Sequence, residues 1–294
     1  MTHLPTVVVV GSANIDQVFN VARIPAPGET VMSSGSSTAL GGKGQNQAVA
    51  AARAGATTTL IAAVGDDAFG ASIRTGLAAD GIDISLLRTG TAPTGTALIA
   101  VDDGGENTII VEPGANAGLT GLTDADAAAI ASADVLTMQL EIPMATVSAA
   151  ARIARAAGTT VMLNAAPIGP LSDELLATID ILVVNEHEAA VLNAARPAGA
   201  LRQLVPVLIV TLGPDGAELY RADRPEMRVP APSVTAVDAT GAGDTFCGAL
   251  AAALARGEPL ESALRFAVVA ASLSVQSRGA VPSIPHRAQI DAEL

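Results

Sequence analysis

The stretch Asp238-Ala239-Thr240-Gly241-Ala242-Gly243-Asp244-Thr245-Phe246 constrains the fold more than any other part of the sequence. Its glycines expose backbone amides, and an apolar segment with helical spacing follows it from Phe246 to Leu254. Because amides at the start of a helix attract anions, the turn is a candidate anion site. From the residue types alone, two interpretations of Asp244 are equally supported: it caps the helix, or it is a base beside the turn.

We expect the positive end of that helix to lower the pKa of the Asp244 carboxylate. A carboxylate with a low pKa is a weak base. Such a base suits phosphoryl transfer, in which positioning matters more than basicity.

Strands and helices alternate along the rest of the chain, which predicts βαβ units, a mainly parallel sheet and helices on both faces. The predicted strands are 7–10, 59–64, 135–140, 160–164, 181–184 and 208–211, and the predicted helices are 42–54, 68–79, 144–157, 186–195, 243–255 and 260–274. Since no repeat or linker interrupts the pattern, we expect residues 1–294 to form a single α/β domain.

Two segments break this alternation. Residues 16–39 are rich in Pro, Ser, Gly and Thr, and residues 94–112 hold two β-prone runs around Asp102-Asp103-Gly104-Gly105. The DDGG turn predicts a β-hairpin. We therefore expect residues 14–40 and 94–112 to form a small antiparallel flap, or lid, beside the main sheet.

The composition limits the class of protein. Of 294 residues, 50% are hydrophobic and 15% charged, and the formal net charge of −13 argues against binding to nucleic acids or anionic membranes. Cys247 is the one cysteine, so no internal disulfide is possible, which fits the cytoplasm. The first residues have no basic start and only a short apolar run, so we expect neither a signal peptide nor a membrane span.

The run Gly41-Gly42-Lys43-Gly44-Gln45-Asn46 opens a predicted helix. It can present backbone amides, an ammonium and a side-chain amide to a polyol; the alternative is a glycine-rich loop with a solvated lysine. Lys43 is the single lysine among 16 basic residues, which hints that a compact ammonium is required there. The run is not a Walker A motif, because Gly44 follows the lysine.

Polar residues also follow the predicted strands. Asn14 and Asp16 come after the first strand, where open α/β sheets bind ligands, although no dinucleotide fingerprint is present. Asn185 and Glu188 open a later helix; they are candidates for the water shell of Mg²⁺, but on residue types a capped helix start is the better-supported alternative. The run TLGPDG (211–216) is by itself only a turn.

In combination these motifs resemble the ribokinase branch of the PfkB sugar-kinase family, from Val7 to about Pro285. GSANID followed by PAPGETV resembles the opening of the family, GGKGQNQAVAAARAGA its first signature and DATGAGDTFCGAL its second. MQLE, NAAP, NEHE and TLGPDGA lie between them, where the family has similar runs. The resemblance implies a Rossmann-like α/β domain with a β-flap lid.

The resemblance also implies an activity, the transfer of the γ-phosphate of ATP to the 5-hydroxyl of D-ribose. Asp244 would be the base, and the amides of Gly241, Ala242 and Gly243 would form the anion hole. The residues implied to hold ribose are Asn14, Asp16, Gly42, Lys43, Asn46, Glu141 and Asp244. Those implied to bind the nucleotide are Asn185, Glu188, Thr211, Gly213, Gly216 and Gly243, with Glu188 holding Mg²⁺ through water.

A monovalent-cation site for K⁺ is implied as well, and its filling is expected to order the anion-hole turn. The residues implied to line it, mostly through carbonyl oxygens, are Asp238, Thr240, Ser274, Ser277, Gly279 and Ser283. The flap is implied to form the contact of a homodimer.

The sequence departs from the family in three places, one of which is Cys247, where other side chains are common. The segment 192–208 is shorter than the family usually has, which puts a helix there in doubt, and Val268 lies near a position that is polar and close to adenine in many relatives.

The nearest alternative function is that of a PfkB kinase for deoxyribose, a ketohexose or a nucleoside. Lys43 and Asn46 favour a compact pentose, whereas the flap residues Ile99 and Ile110 suit a larger ring. A sugar-binding protein without catalysis is a further alternative.

Overall fold

The computed structural model describes residues 4–195 and 201–294, and these form two β-sheets with helices packed around the larger one. The strands are β1 (Thr6–Val10), β2 (Asn14–Val21), β3 (Ser33–Gly41), β4 (Thr57–Gly65), β5 (Leu87–Gly90), β6 (Gly95–Val101), β7 (Asn107–Glu112), β8 (Val135–Met138), β9 (Thr160–Asn164), β10 (Ile181–Asn185), β11 (Val207–Thr211), β12 (Ala217–Arg221) and β13 (Arg224–Val229). The helices are α1 (Lys43–Arg53), α2 (Ala68–Ala79), α3 (Asp124–Ser132), α4 (Met144–Ala157), α5 (Asp173–Leu176), α6 (Glu186–Ala194), α7 (Leu201–Leu204), α8 (Ala242–Ala255), α9 (Leu260–Ser274), α10 (Ala280–Ser283) and α11 (Arg287–Asp291).

The larger sheet has nine strands in the order β13-β12-β11-β10-β9-β8-β1-β4-β5. Neighbours from β11 to β5 are parallel, and only β12 and β13 at one edge are antiparallel. The predicted fold class is confirmed. The chain continues from β1 to β4 on one side and later adds β8 on the other. The carboxyl ends of β1 and β8 therefore meet at a switch point, where open α/β sheets hold ligands.

The valine run of β1 is buried on both faces of this sheet. Val7 and Val9 pack in a core with α1, α8 and α9, whereas Val8 and Val10 pack in a second core with α3 and α4. Alternate side chains of a strand point to opposite faces, so a strand covered on both sides is apolar throughout.

The smaller sheet is the lid, and its strand order is β3-β2-β6-β7. The hairpin predicted from the DDGG turn is confirmed, because β6 and β7 pair antiparallel. β2 and β3 also pair antiparallel, but the central pair β2–β6 is parallel. This pairing follows from the main sheet, since β2 and β6 continue from the parallel strands β1 and β5.

The predicted bounds of α2, α4, α9 and β9 match the structure, whereas the bounds of other predicted elements differ. The strand predicted over 135–140 ends at Met138, because the backbone N–H of Leu140 donates to the carbonyl oxygen of Ala166 instead. α3, β12 and β13 were not predicted. Of the short segment 192–208, residues 196–200 lie outside the described residues, and the remainder contains the end of α6 and the single turn of α7.

Helices α1 and α8 pack closely, and Gly248 lies at their contact. A Cβ atom on Gly248 would lie 2.4 Å from the carbonyl oxygen of Gln47 and 2.5 Å from the Cβ of Ala50. This close approach brings the start of α1 to the first turn of α8, which carries Asp244.

We predict that Gly248→Ala destabilises the fold by about 1–3 kcal/mol, because the added methyl group overpacks the contact between the helices. Alanine in a helix interior otherwise stabilises by roughly 0.5–1 kcal/mol relative to glycine, so the sign of the change is diagnostic. Urea denaturation followed by circular dichroism measures the free energy of unfolding. Gly169→Ala is the control, since a Cβ there meets no atom within 4 Å. A Gly248→Ala variant as stable as the wild type would contradict the packing argument.

Candidate active site

Asp244 lies in the first turn of α8 and is buried. The N-cap of the helix is Gly241, which has a left-handed φ of 74°. The Asp244 carboxylate faces α1 instead of its own helix: Oδ2 accepts from Asn46 Nδ2 at 3.0 Å and Oδ1 from Gln47 Nε2 at 3.1 Å. The interpretation of Asp244 as the helix cap is therefore wrong.

The predicted anion-hole amides lie in the turn directly before Asp244. The backbone N–H groups of a helix start have no acceptor within the helix. Of the three, the N–H of Ala242 donates to the carbonyl oxygen of Ala239 at 3.2 Å, across the turn. Gly241 and Gly243 both line the polar cavity next to the carboxylate.

The prediction of a lowered pKa for Asp244 was wrong. Burial raises the pKa of Asp244, and the positive charge of Lys43 and the two amide donors only partly offset this effect. The carboxylate is enclosed between α1 and α8, so the loss of hydration outweighs the attraction of the helix N-terminus. The result is a stronger base than an exposed carboxylate at a helix start.

Lys43 lies among three carboxylates, those of Asp16, Glu141 and Asp244. The charge of Asp244 above all, and then that of Glu141, raise the pKa of Lys43 against the effect of its burial. Glu141 is held in place by its Oε2 atom, which accepts from Ser12 Oγ at 2.5 Å and from the backbone N–H of Lys43 at 2.9 Å. The cluster joins the carboxyl ends of β1 and β8 to the start of α1.

Asp16 lies at the start of β2, against the glycines that precede α1. Burial, together with the charges of Glu141 and Asp244, raises the pKa of Asp16 to about 6. A Cβ on Gly41 would lie 2.2 Å from the Asp16 carboxylate, and one on Gly42, which has a φ of 87°, would lie 2.8 Å from the backbone nitrogen of Asn14. The glycines are thus required because β2 and its carboxylate approach the loop closely.

Three residues of the site were missed by the sequence analysis, namely Ser12, Asn116 and Gln47. Asn116 is buried after the last lid strand; its Nδ2 donates to Asn14 Oδ1 at 2.7 Å, and its Oδ1 accepts from the backbone N–H of Ala13 at 2.9 Å. A signal for Gln47 was present, because Gln45-Asn46-Gln47 places three polar residues in an otherwise alanine-rich helix. Asn116 had none, since it is distant in sequence from the residues it contacts.

A polar cavity of about 240 Å³ opens beside Asp244. Its lining residues are Lys43, Asn164, Ala166, Val183, Asn185, Glu188, Thr211, Ala239, Gly241, Gly243, Asp244 and Cys247. Asn185 and Glu188 form a capping box at the start of α6, with 2.8 Å between each backbone N–H and the other side chain. The capped helix start is therefore real, and the same two residues face the cavity. Burial raises the pKa of the Cys247 thiol well above its usual value.

An apolar cavity of about 490 Å³ adjoins the polar one, and both are lined by Thr211, Ala239 and Gly243. Its other lining residues are Gly213, Pro214, Gly216, Ala231, Pro232, Ser233, Val234, Ala236, Ala242, Phe246, Val268, Ala271, Ser272 and Val275. The hydroxyl of Ser272 donates to the carbonyl oxygen of Val268 at 2.9 Å. A continuous cleft thus runs from an apolar chamber, past the anion turn, to the Asp244 carboxylate.

The residues predicted to bind a monovalent cation lie behind the anion turn. The Asp238 carboxylate accepts from the N–H groups of Thr240 and Gly279, at 2.9 and 2.8 Å, and so joins two chain segments. Although burial opposes ionisation, the hydrogen bonds from Thr240 and Gly279 lower the pKa of Asp238. The hydroxyls of Ser274 and Ser283 donate to the carbonyl oxygens of Ala271 and Ala280. Ser277 follows α9 in one of the two joined segments.

Two features are absent from residues 4–195 and 201–294. No group of three or more His, Cys, Asp or Glu side chains in these ranges is arranged to hold a metal ion. Within the same ranges, no helix has the length and apolar character needed to cross a membrane.

The chain is similar in sequence and in structure to known ribokinases. Residues 4–287 match the model of the pfkB family carbohydrate kinases. The chain is 39% identical to the ribokinase of Schizosaccharomyces pombe, over 98% of this chain and 97% of that protein. The structure of the Arabidopsis thaliana ribokinase complexed with ribose and ATP has a TM-score of 0.92 at 34% identity, covering 99% of this chain and 98% of that one. The ribokinase of Thermotoga maritima has the same TM-score and identity, with 98% and 99% covered.

We predict that Asp16→Asn stabilises the protein at pH 8. The pKa of Asp16 in the folded state, about 6, exceeds its ordinary value of 3.8, so above pH 6 folding must bury a charged carboxylate. The gain is therefore full at pH 8, and it disappears as the pH falls from about 6 to below 3.8. Urea midpoints measured across this range test the prediction.

Asp67→Asn is the matched control with the opposite sign. Hydrogen bonds from the Thr94 hydroxyl and backbone N–H lower the pKa of Asp67, so its ionised form stabilises the fold. This variant is expected to be less stable than the wild type at pH 8. If Asp16→Asn lowers the midpoint as well, the proposed penalty for burying Asp16 does not exist.

Proposed function

The chain belongs to the pfkB family of carbohydrate kinases, and we propose that it transfers the γ-phosphate of ATP to the 5-hydroxyl of D-ribose. The observation that carries this proposal is the buried Asp244 carboxylate, which lies between a carboxylate–lysine cluster and a cleft that ends in an apolar chamber. The near-full-length similarity to ribokinases supports ribose as the acceptor.

Asp244 is the proposed base. The 5-hydroxyl gives its proton to the carboxylate while its oxygen bonds to the γ-phosphorus, and the bond from that phosphorus to the bridging oxygen of ADP breaks. In this proposal the amides of Gly241 and Gly243, which line the polar cavity, face the charge that develops on the transferred group; the N–H of Ala242, the third member of the predicted anion hole, donates to the carbonyl oxygen of Ala239. Since burial raises the pKa of Asp244, the carboxylate accepts the proton more readily than an exposed one.

The proposed sugar site is the cluster around Lys43. Asn46 supports this assignment, because its buried Oδ1 atom has no hydrogen-bond partner within the described residues and can accept from a hydroxyl. The carboxylate and amide side chains of the cluster are proposed to hydrogen-bond the hydroxyls of the pentose. A site of this kind rejects sugars that lack one hydroxyl by ~10⁴-fold or more. The residues assigned to it are Asn14, Asp16, Gly42, Lys43, Asn46, Glu141 and Asp244.

The nucleotide is proposed to lie along the cleft. The apolar chamber suits the adenine ring, and the polar cavity suits the phosphates. Mg²⁺, when bound, neutralises phosphate charge, and the carboxylate of Glu188, which faces this cavity, is suited to hold it through water. Those assigned to the nucleotide are Asn185, Glu188, Thr211, Gly213, Gly216 and Gly243.

A K⁺ site behind the anion turn is a further part of the proposal. Its donors are carbonyl and hydroxyl oxygens, which suit K⁺ better than a divalent ion. A Cβ on Gly241 would lie 2.8 Å from the Cβ of Ala280, so the turn directly contacts the segment that follows Gly279. Ordering of that segment by a bound cation would therefore also order the turn. The residues assigned to it are Asp238, Thr240, Ser274, Ser277, Gly279 and Ser283. Activity that is unchanged after exhaustive removal of monovalent cations would contradict this site.

A homodimer formed through the lid is proposed from its exposed apolar face. On one face of the lid, Leu98 of β6 pairs with Ile110 of β7, and the two are 43% and 63% exposed; Ile109 and Val111, 53% and 49% exposed, point to the other face. An apolar sheet face with open edges is a surface that proteins normally cover. Sedimentation that detects only monomer at micromolar concentration would argue against the dimer. A cytoplasmic location stays a prediction from the cysteine content.

We predict D-ribose-dependent release of ADP from MgATP that K⁺ enhances. Asp244→Asn is expected to lower kcat by about 10²–10⁴-fold, because it removes the base but keeps the shape. Calorimetry measures ribose binding by the variant, which is expected to persist. A protein that binds ribose without releasing ADP would be the non-catalytic alternative. Turnover with other sugars or nucleosides but not with ribose would support the kinase activity and contradict ribose as the substrate.

A further inference from the structure

The reaction as described above assigns no role to Gln47, yet this residue lies at the centre of the polar interior. It is completely buried in α1. Its Nε2 donates to Asp244 Oδ1 at 3.1 Å and to Asn164 Oδ1 at 3.3 Å. Its Oε1 accepts from Thr137 Oγ1 at 3.1 Å and from Gln139 Nε2. A primary amide has two N–H donors and two acceptor lone pairs, so all four positions are filled.

These partners determine the orientation of the Gln47 amide. Asn164 uses its Nδ2 to donate to the carbonyl oxygen of Val183 at 3.4 Å, so its Oδ1 must face Gln47. If the Gln47 amide were reversed, its oxygen would lie against two other oxygens, Asn164 Oδ1 and the Asp244 carboxylate. The amide therefore presents an N–H to the base in its one compatible orientation.

The other amide donor to Asp244 differs from Gln47 in one respect. Asn46 has a free buried oxygen and is assigned to the sugar, so its contacts change when the substrate binds. Gln47 has no free position and lies on the side of Asp244 that faces β8 and β9. Its hydrogen bond to Oδ1 therefore persists while Oδ2 and Asn46 respond to the substrate.

Ionisable groups face Asp244 from several elements, and most of them oppose its charge. Lys43 is the cation among them, and the carboxylates of Asp16 and Glu141 repel Asp244. The groups around the base are Lys43 on α1, Asp16 on β2, Glu141 after β8, Glu188 on α6 and Cys247 on α8. A neutral donor such as Gln47 supports the carboxylate without adding a competing charge.

We propose that Gln47 is the positioning residue for Asp244: it fixes the plane of the carboxylate through Oδ1 and keeps it ionised when substrate occupies the other side. This inference rests on the proposed function, because it assigns Gln47 a part in the same reaction. The chain Thr137–Gln47–Asp244 thereby connects the main sheet to the base.

The test compares Gln47→Leu with the wild type in the ribose-dependent assay across pH. A hydrogen bond to a charged group is worth roughly 1.5–3 kcal/mol, which corresponds to about 1–2 pH units. We expect kcat to fall on the order of tenfold or more, and KM for ribose to change less than about threefold. The acidic limb of the kcat profile is expected to move to higher pH by about 1–2 units. Gln45→Leu is the control, because Gln45 is buried on the same helix but does not contact the base. It is expected to keep the wild-type profile.

A second variant and a second measurement keep the test informative if Gln47→Leu does not fold. Thr137→Val removes a hydrogen bond to Gln47 Oε1 without touching Asp244, and it is expected to move the acidic limb in the same direction by less. Carboxyl ¹³C titration follows Asp244 without turnover, with its signal assigned by its loss in Asp244→Asn. An unchanged Asp244 titration in folded variants overturns the role of Gln47, even if activity falls. A wild-type protein inactive on ribose rejects the proposed function alone, since the titration still decides the role of Gln47.

Discussion

The structure depends on one constraint: a carboxylate that is buried between two helices must be stabilised in its ionised form. Burial alone favours the neutral acid, so Asp244 needs a nearby cation and hydrogen-bond donors. Lys43, Asn46 and Gln47 supply them from the start of one helix, α1. They reach Asp244 because Gly248 lets α1 and α8 touch. The glycine-rich start of α1 and the glycines before α8 are two halves of a single arrangement.

Much of the fold could be predicted from the sequence because its strong signals are local. The helical spacing of apolar residues defines α2, α4 and α9 at their observed bounds, and a glycine follows α2 and α4. The elements that were not predicted lack such signals. The sequence of α3 is mostly alanine and aspartate with little periodicity, and it is held by a capping box at Thr123. The strands β12 and β13 are rich in charged residues, and their pairing depends on β11, which they extend at the sheet edge.

The residues of the site were easier to predict than their chemistry. Motifs placed polar side chains at strand ends, and topology brought those of β1 and β8 together. The pKa of Asp244 was predicted in the wrong direction, because the helix dipole is visible in the sequence whereas the extent of burial is not. Asn116 illustrates a second limit. It contacts residues about 100 positions away, and only the folded chain brings it to the proposed sugar site.

The lid has a consequence for how binding energy is distributed. Asn14 and Asp16 belong to β2, which is a lid strand, and Asn116 ties the end of β7 to Asn14. The proposed sugar site is therefore partly built on the lid itself. Any event that favours one lid position over another, including association of two lids, changes sugar affinity by the same free energy that sugar contributes to that event. In the proposed dimer, quaternary state and occupancy of the proposed sugar site are reciprocally linked.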